Sequence, residues 1–376
     1  MSNQRRILFV HSWPSSFIRY DLEILRERYT VTELRLDARR AYRSFAVPPL
    51  VASHDLVFGW FASWHTLWAA LWARWLGKPS LLVIGGYDLA NLPEIGYGYQ
   101  QGGVAKWASC TAIGMAQQLM TNSYYSRSEA RENAGVPEER VEVIYHGVPD
   151  PFDGLPQNGR ERMVLTVGIV KRSNLLRKGH AAFVRAARLV PDCEFVLIGD
   201  WEDDAIESLR PLAPPNVGFT GWVEEPALLD YYRRAAVYVQ ASYHEGFGLS
   251  VAEAMLAGCI PVVTRAGALP EVVGDTGTYI PSVSPEAIAA GIEVTTGICL
   301  DEAARDHAGF FLNTDLGRPW VTLKLAASFD GRIATATGQS QWITGPPARR
   351  LVHAMRARHD AVMIGGEQLV LGFPGA

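Results

Sequence analysis

The feature that most constrains this chain is a repeated alternation. A short run of Val, Leu and Ile meets a glycine or polar stop, and a stretch with helical spacing follows. Ile7 to Val10 is strand-like, and Tyr20 to Arg28 is helix-like. Asp55 to Gly59 reads as a buried strand. Trp64, Trp68 and Trp72 then recur with helical spacing, in a stripe closed by Arg74, Gly77 and Pro79. Leu81 to Ile84 is the next strand, Leu119 to Asn122 another, followed by a helix over Ser126 to Ala134 and a strand over Val141 to Tyr145. A second series begins after the turn-rich stretch from Pro149 to Gly159. Its strands are Met163 to Val167, Phe195 to Ile198, Val237 to Gln240 and Ile260 to Val263. Its helices are Gly179 to Leu189, Pro226 to Ala235 and Gly248 to Leu256. The apolar runs lack polar alternation, as expected of parallel strands buried on both faces. Parallel strands need crossover connections, usually helices. The economical architecture is α/β, with two tandem Rossmann-like doubly wound domains.

Composition narrows the function classes. The 376-residue chain has a formal net charge of −4, so no global basic field attracts nucleic acid. Leu56 to Ala73 carries no charge and imitates a membrane span, but the strand–helix–strand reading divides it. The Trp stripe then packs a helix on a sheet; its alternative is a Trp face at a membrane interface. Cys110, Cys193, Cys259 and Cys299 are widely separated with no C-x-x-C, which supports neither structural zinc nor a disulfide scaffold. The first residues lack a signal-peptide layout, and the expected location is the cytoplasm.

Chemistry concentrates in the second series. Glu245-Gly246-Phe247-Gly248-Leu249 leads from a strand into a helix that carries Glu253. Gly246 and Gly248 permit close approach of backbone to ligand, and the helix start offers free N–H groups to a phosphate. A carboxylate suits a sugar or ribose diol, accepting from two hydroxyls. Upstream, Gly168 ends a strand, and Lys171, Arg172, Arg177 and Lys178 crowd the loop before Gly179. Cations beside the carboxyl end of a strand fit a diphosphate. For Lys171 and Arg172 alone, a solvated basic loop is the simpler reading.

Together these blocks resemble the donor-binding half of retaining glycosyltransferases of family 4. The resemblance runs from Met163 to Ile280. It rests on Val167-Gly168 through Arg177-Lys178-Gly179, on Asn216-Val217-Gly218-Phe219-Thr220-Gly221, on the E-x7-E motif from Glu245 to Glu253, and on Thr264 to Val272. Thr121-Asn122-Ser123 and Val143 to Val148 resemble the end of the acceptor half. The resemblance implies the GT-B fold, an acceptor-side domain over 1–150, a nucleotide-sugar domain over 151–290, and a cleft between them. It implies that Glu253 binds ribose and Glu245 contacts sugar hydroxyls. The backbone of Phe247, Gly248 and Leu249 would hold sugar or diphosphate, with Gly168, Gly246 and Lys171 at the donor. Arg177 and Lys178 would offset charge on the leaving diphosphate, an electrostatic role often dominant in catalysis. The family's usual Arg after Val-Gly is Ile169 here, and Lys171 or Arg172 is the available substitute. Asp88, after Gly85-Gly86-Tyr87, is the acceptor-side candidate, with a helix N-cap as its alternative. His11, His146 and His244 are either cleft residues or satisfied buried histidines. No Asp-x-Asp occurs, so the expectation is transfer of a hexose without a metal or other cofactor. The expected acceptor is a glycan or a lipid-linked molecule, which the sequence does not name. The Trp stripe and Arg35, Arg39, Arg40 and Arg43 hint at peripheral membrane contact; a solvated basic face is the other reading.

The remainder departs from that family. No sequence for a long closing helix follows Ser284-Pro285-Glu286-Ala287. Residues 291–365 instead resemble a fragment of the bifunctional riboflavin-biosynthesis deaminase/reductase, Gly366 onward departs from that pattern, and 291–376 is expected to be a truncated reductase-like fragment. Gly317-Arg318-Pro319-Trp320-Val321-Thr322-Leu323-Lys324-Leu325 looks like the first strand of its reductase domain. Gln341-Trp342-Ile343-Thr344-Gly345 and Arg356 to Ala361 match later blocks. The zinc signature of the deaminase is absent, and so is the Gly-rich dinucleotide loop. The expected fragment is an incomplete, catalytically silent α/β piece, joined by fusion near Ala287–Gly291. Two alternatives to transfer stay open: a sugar-nucleotide binding module without turnover, and residual NADPH-linked reductase activity of the tail.

Overall fold

The computed structural model describes residues 4–152 and 159–297, which lie in one compact unit. Expectations for the reductase-like segment beyond residue 297 lie outside the described residues. The chain opens with β1 (Arg6–His11), α1 (Ser16–Arg28), β2 (Thr30–Arg35), a 3-10 segment (Ala38–Ala46) and α2 (Val47–Ser53). It continues through β3 (Leu56–Trp60), α3 (Trp64–Trp75), β4 (Ser80–Val83), α4 (Gly103–Met115), β5 (Gln118–Thr121), α5 (Tyr124–Ala134) and β6 (Val141–Val143). These strands form one parallel sheet, ordered β2-β1-β3-β4-β5-β6.

The second half repeats the plan. Its elements are β7 (Glu161–Val167), α6 (Arg172–Arg177), α7 (His180–Ala186), β8 (Glu194–Ile198), α8 (Ile206–Leu209), β9 (Val217–Gly221), α9 (Glu225–Arg234) and β10 (Ala235–Gln240). Then follow α10 (Leu249–Leu256), β11 (Ile260–Thr264), α11 (Leu269–Val273), β12 (Thr278–Ile280) and α12 (Pro285–Gly297). The second sheet is ordered β12-β11-β10-β7-β8-β9, again parallel. Read from its other edge, this is the 3-2-1-4-5-6 order of a Rossmann sheet. The chain reverses direction across the sheet between β7 and β10. Ligands of such sheets bind outside the carboxyl ends of the strands at that switch point.

The apolar runs do what their composition dictates. Leu8, Phe9 and Val10 of β1, and Val164, Leu165, Val196 and Leu197 of β7 and β8, are buried from both sides. Local chemistry sets the helix ends. The Ser123 hydroxyl accepts from the Ser126 N–H (3.0 Å) at the start of α5, and Gly135 closes that helix with a φ of 68°.

Two expectations change. The Trp stripe does not face the sheet: α3 packs inward through Leu67, Ala69, Ala70 and Ala73, while Trp64 and Trp68 are exposed. Only Trp72 of the stripe packs against the core. Small residues let α3 sit close to the sheet, and indoles on that face would hold it off. The basic loop contains a helix, α6, because the Asp203 carboxylate accepts from the Arg172 N–H (3.0 Å) at its start. The helix α12 spans the junction expected near Ala287–Gly291. Ile288, Ala289 and Ile292 are core residues of the second half, and Gly291 lies against Val262 and Ile280.

Candidate functional site

Gly168 directly follows β7 and Glu245 lies shortly after β10, so the sequence candidates gather at the switch point of the second sheet. The connection through α6 brings Arg177 and Lys178 to the same place. It turns at Gly179, whose φ is 67°; a Cβ there would meet the Ala241 carbonyl oxygen at 2.2 Å. Lys178 Nζ lies 3.0 Å from Glu245 Oε1, with side chains only 16% and 12% exposed. Arg177 is 3.9 Å from the same oxygen. The Arg177 guanidinium also donates to the His244 carbonyl (3.2 Å) and to Asn174 Oδ1 (2.9 and 3.2 Å). Glu245 further accepts from Ser242 Oγ (3.0 Å) and Gln240 Nε2 (2.9 Å).

The electrostatics follow from this packing. Burial works to raise the Glu245 carboxyl, but Lys178 and Arg177 outweigh it and hold the group at about 2. Burial lowers the Lys178 ammonium and Arg177 adds repulsion, while Glu245 opposes both. Two cations against one carboxylate leave this cluster one positive charge in excess, in a place with little water to screen it. His180, buried beside them, is driven to about 3 by burial and by both cations, so it is a neutral imidazole.

The remaining donor-side candidates lie elsewhere in the same half of the chain. Gly248 begins α10 with a φ of 102°, which favours glycine, and the first N–H groups of α10 follow it. Phe247 is buried, its ring 5.0 Å from that of His146. Glu253, on α10, accepts from Tyr232 Oη (3.0 Å). Burial raises its carboxyl, and the Tyr232 hydrogen bond opposes the rise. The Gly168 backbone lies against the Lys178 and His180 side chains. Lys171 and Arg172 face away from the cluster toward an acidic loop: Lys171 pairs with Glu202 (3.1 Å) and Arg172 with Asp204 (2.5 and 2.8 Å).

Asp88 is buried in the first half. Its carboxylate accepts from the Ala62 N–H (2.8 Å) and the Gly85 N–H (3.1 Å), joining the loops after β3 and β4. Burial, partly opposed by those two bonds, raises it to about 7. His11 is buried and bonded to Glu33 (2.9 Å). His146 stacks on Trp60 and lies 3.0 Å from Asn122 Nδ2.

At the meeting of the two halves, candidates from the sequence are joined by residues it did not single out, Tyr97 and Glu129. His244 Nε2 lies 3.0 Å from Glu129 Oε1 of α5. The Tyr97 ring lies 4.8 Å from the Arg177 guanidinium carbon. Ser123 Oγ donates to the Gly246 carbonyl (2.8 Å). Glu271 accepts from the Tyr124 and Tyr125 N–H groups (2.8 and 2.6 Å) and from Tyr145 Oη (3.0 Å). The N-terminus of α5 thus rests on a carboxylate from the second half, a favourable dipole contact. No local spacing signals such pairs. Among the described residues no group of three His, Cys, Asp or Glu is arranged to hold a metal ion.

Comparison with known proteins finds two separate matches along the chain. Residues 161–295 match the family model "Glycosyl transferases group 1", an interval that begins with β7 and ends within α12. Residues 319–374 match the model "RibD C-terminal domain". The fold over the described residues is similar to that of Anabaena HepE in complex with UDP and glucose. That match has a TM-score of 0.60 and 18% identity, covering 80% of this chain and 90% of that one. A glycosyltransferase from Rickettsia africae (TM-score 0.59, 17% identity, 81% and 93% covered) is similar too. So is sucrose-phosphate synthase from Thermosynechococcus elongatus (TM-score 0.58, 17% identity, 77% and 89% covered). In sequence, the C-terminal region is similar to riboflavin biosynthesis protein RibD of Aquifex aeolicus. Identity there is 35% over 120 residues, 31% of this chain and 33% of that protein. The corresponding protein of Escherichia coli is 42% identical over 85 residues, 23% of each chain. The chain thus spans a third or less of the length of these curated relatives. The described residues have the GT-B architecture, with residues 161–295 similar to group 1 glycosyl transferases and residues 319–374 similar to the RibD C-terminal domain.

Proposed function

We propose that this protein transfers a hexose from a nucleoside diphosphate sugar to a glycan or lipid-linked acceptor, with retention and without a metal. The observation that carries this reading is the Arg177–Lys178–Glu245 cluster at the switch point of the second sheet, with its one excess positive charge. As the bond from the anomeric carbon to the diphosphate oxygen breaks, its electron pair leaves on that oxygen. Preorganised cations at low dielectric stabilise the developing charge, and removal of one such group typically costs about 100- to 1,000-fold in rate. Glu253 lies on the helix that starts at Gly248, where its carboxylate would accept from the ribose hydroxyls while the start of α10 takes the phosphates. Glu245 would offer the sugar hydroxyls its acceptor capacity not used by Lys178. Asp88 would serve the acceptor side, a reading supported by the two backbone bonds with which it ties the loops after β3 and β4.

The test is a donor screen. Each nucleoside diphosphate hexose is incubated with candidate acceptors, the products are weighed by mass spectrometry, and the anomer is determined by NMR. The reading predicts one preferred donor, product of unchanged anomeric configuration, and activity that survives chelators. Inverted product would overturn retention, and loss of activity in chelator, restored by a divalent ion, would overturn metal independence. A second reading, binding without turnover, draws on Ile169 at the position of the family's usual arginine. Tight nucleoside diphosphate binding with no product from any donor would favour it. The protein acts in the cytoplasm in this reading, where nucleotide sugars are made.

A further inference from the structure

The indoles that α3 turns away from the sheet have no partner in the core. Trp64, Trp68 and Trp75 lie on one stripe of the helix and are 44%, 43% and 76% exposed. Trp107 of the neighbouring α4 is 57% exposed and lies 5.5 Å from Trp64, ring to ring, so the two helices present one aromatic surface. Leu76 and Val104 extend it, and both are exposed. Tryptophans on a monomer's surface normally bury most of their area, and an exposed cluster marks an interaction site.

The charge on this surface is one-sided. No Asp or Glu occurs in residues 38–53, 64–80 or 99–118, which hold the 3-10 segment, α2, α3 and α4. The same stretches contain Arg39, Arg40, Arg43, Arg74, Lys78 and Lys106. Arg40 pairs with Asp37, and Lys78 lies near Asp55. Arg39, Arg43, Arg74 and Lys106 form no ion pair among the described residues. The other helices of the same half are different: α1 carries Asp21, Glu23 and Glu27, and α5 carries Glu129 and Glu132. A chain of net charge −4 has therefore kept its carboxylates off the layer that displays its tryptophans.

We infer that the outer face of α3 and α4 seats this protein on an anionic lipid surface. Indole rings, apolar with one N–H donor, settle at the level of lipid headgroups. Cations on the same helices attract anionic lipid, and Arg74 and Lys106 have no ion-pair partner among the described residues to offset the attraction. The outer face of a helix pair is convex, which suits a yielding surface; protein partners are usually anchored by aromatics in pockets. Among the described residues no helix is long and apolar enough to cross a membrane, so the contact is peripheral. The inference stands whether or not the sugar-transfer reading holds.

The test is flotation of the full chain with phosphatidylcholine vesicles, with and without phosphatidylglycerol. Three proteins are compared: the wild type, a Trp68→Ser/Trp75→Ser/Trp107→Ser variant, and an Arg74→Gln/Lys106→Gln variant that keeps every indole. The inference predicts binding to the phosphatidylglycerol vesicles, weakened by salt and lost in the tryptophan variant. The cation variant should bind weaker by roughly fivefold per charge removed. Absence of binding to the anionic vesicles overturns it, as does binding unchanged in both variants. Self-association that the tryptophan variant abolishes, without vesicle binding, would assign the face to a second copy of the chain and also overturn it.

Discussion

Replacing Glu245 with Gln keeps the shape of the side chain and removes its charge, leaving Lys178 and Arg177 buried without a counter-ion. The native carboxyl sits at about 2 against an ordinary value of 4.5. That difference corresponds to about 3 kcal/mol of folding stability. The group is lowered in the folded protein, so this stability is present above about pH 5 and is lost as pH falls toward 2. The cost of removing one partner of a buried ion pair, about 3–5 kcal/mol, agrees in size. Glu245→Gln should therefore lower unfolding stability by about 3 kcal/mol near neutral pH, measured by urea titration. At about pH 3 the wild type has already lost about 2 kcal/mol of this contribution, and the gap between the two proteins should narrow accordingly. A Lys178→Met/Glu245→Gln double variant should recover part of the loss, because no unpaired ammonium remains. A stability difference that is the same at both pH values would refute the reasoning, since it would show that the pair does not hold Glu245 ionised.

Three further outcomes follow from particular contacts. Tyr232→Phe deletes the hydroxyl that donates to Glu253, so the carboxyl should rise further and nucleoside diphosphate affinity should fall by roughly fivefold; calorimetry giving an unchanged Kd would count against Glu253 as a ribose ligand. Glu271→Gln removes the charge and one acceptor beneath the start of α5, where three hydrogen bonds join the halves; the radius of gyration from solution scattering should increase, and an unchanged value would show that other contacts hold the cleft. Truncation after residue 290 should destabilise the second half by about 2–3 kcal/mol relative to truncation after residue 297, because it strips the buried Ile292 from the core; equal melting temperatures would contradict the placement of α12.

The parts of this molecule that could be read from the sequence are those whose cause is local. Continuous apolar runs announced β1, β3, β7, β8, β10 and β11, because strands buried on both faces have no polar positions to alternate. The strand β2, Thr-Val-Thr-Glu-Leu-Arg, was missed for the complementary reason: it is an edge strand with polar positions facing out. Glu245, Glu253 and Arg177-Lys178-Gly179 stood out because glycines and charges cluster in two short segments; the pairing of β7 with β10 then brings Lys178 to Glu245. Tyr97 and Glu129 did not stand out, because their contacts arise only where two halves of the chain meet; Ser123 and Gly246 are joined across 123 positions. The tryptophan stripe was misassigned because helical spacing tells which residues share a face and not which face turns inward. Ala69, Ala70 and Ala73 decided that, since close packing on a sheet favours the smaller side.

The measurement that bears most directly on the account is transfer activity in Lys178→Ala and Glu253→Ala, each checked by circular dichroism for an intact fold. Lys178 is the cation paired to Glu245 at the switch point, and Glu253 is the carboxylate on the helix beyond it. The account predicts a loss of about 100-fold or more in kcat for Lys178→Ala, the size expected when one preorganised charge is withdrawn from the leaving group. It predicts weakened donor binding for Glu253→Ala. Full activity in both folded variants would contradict it.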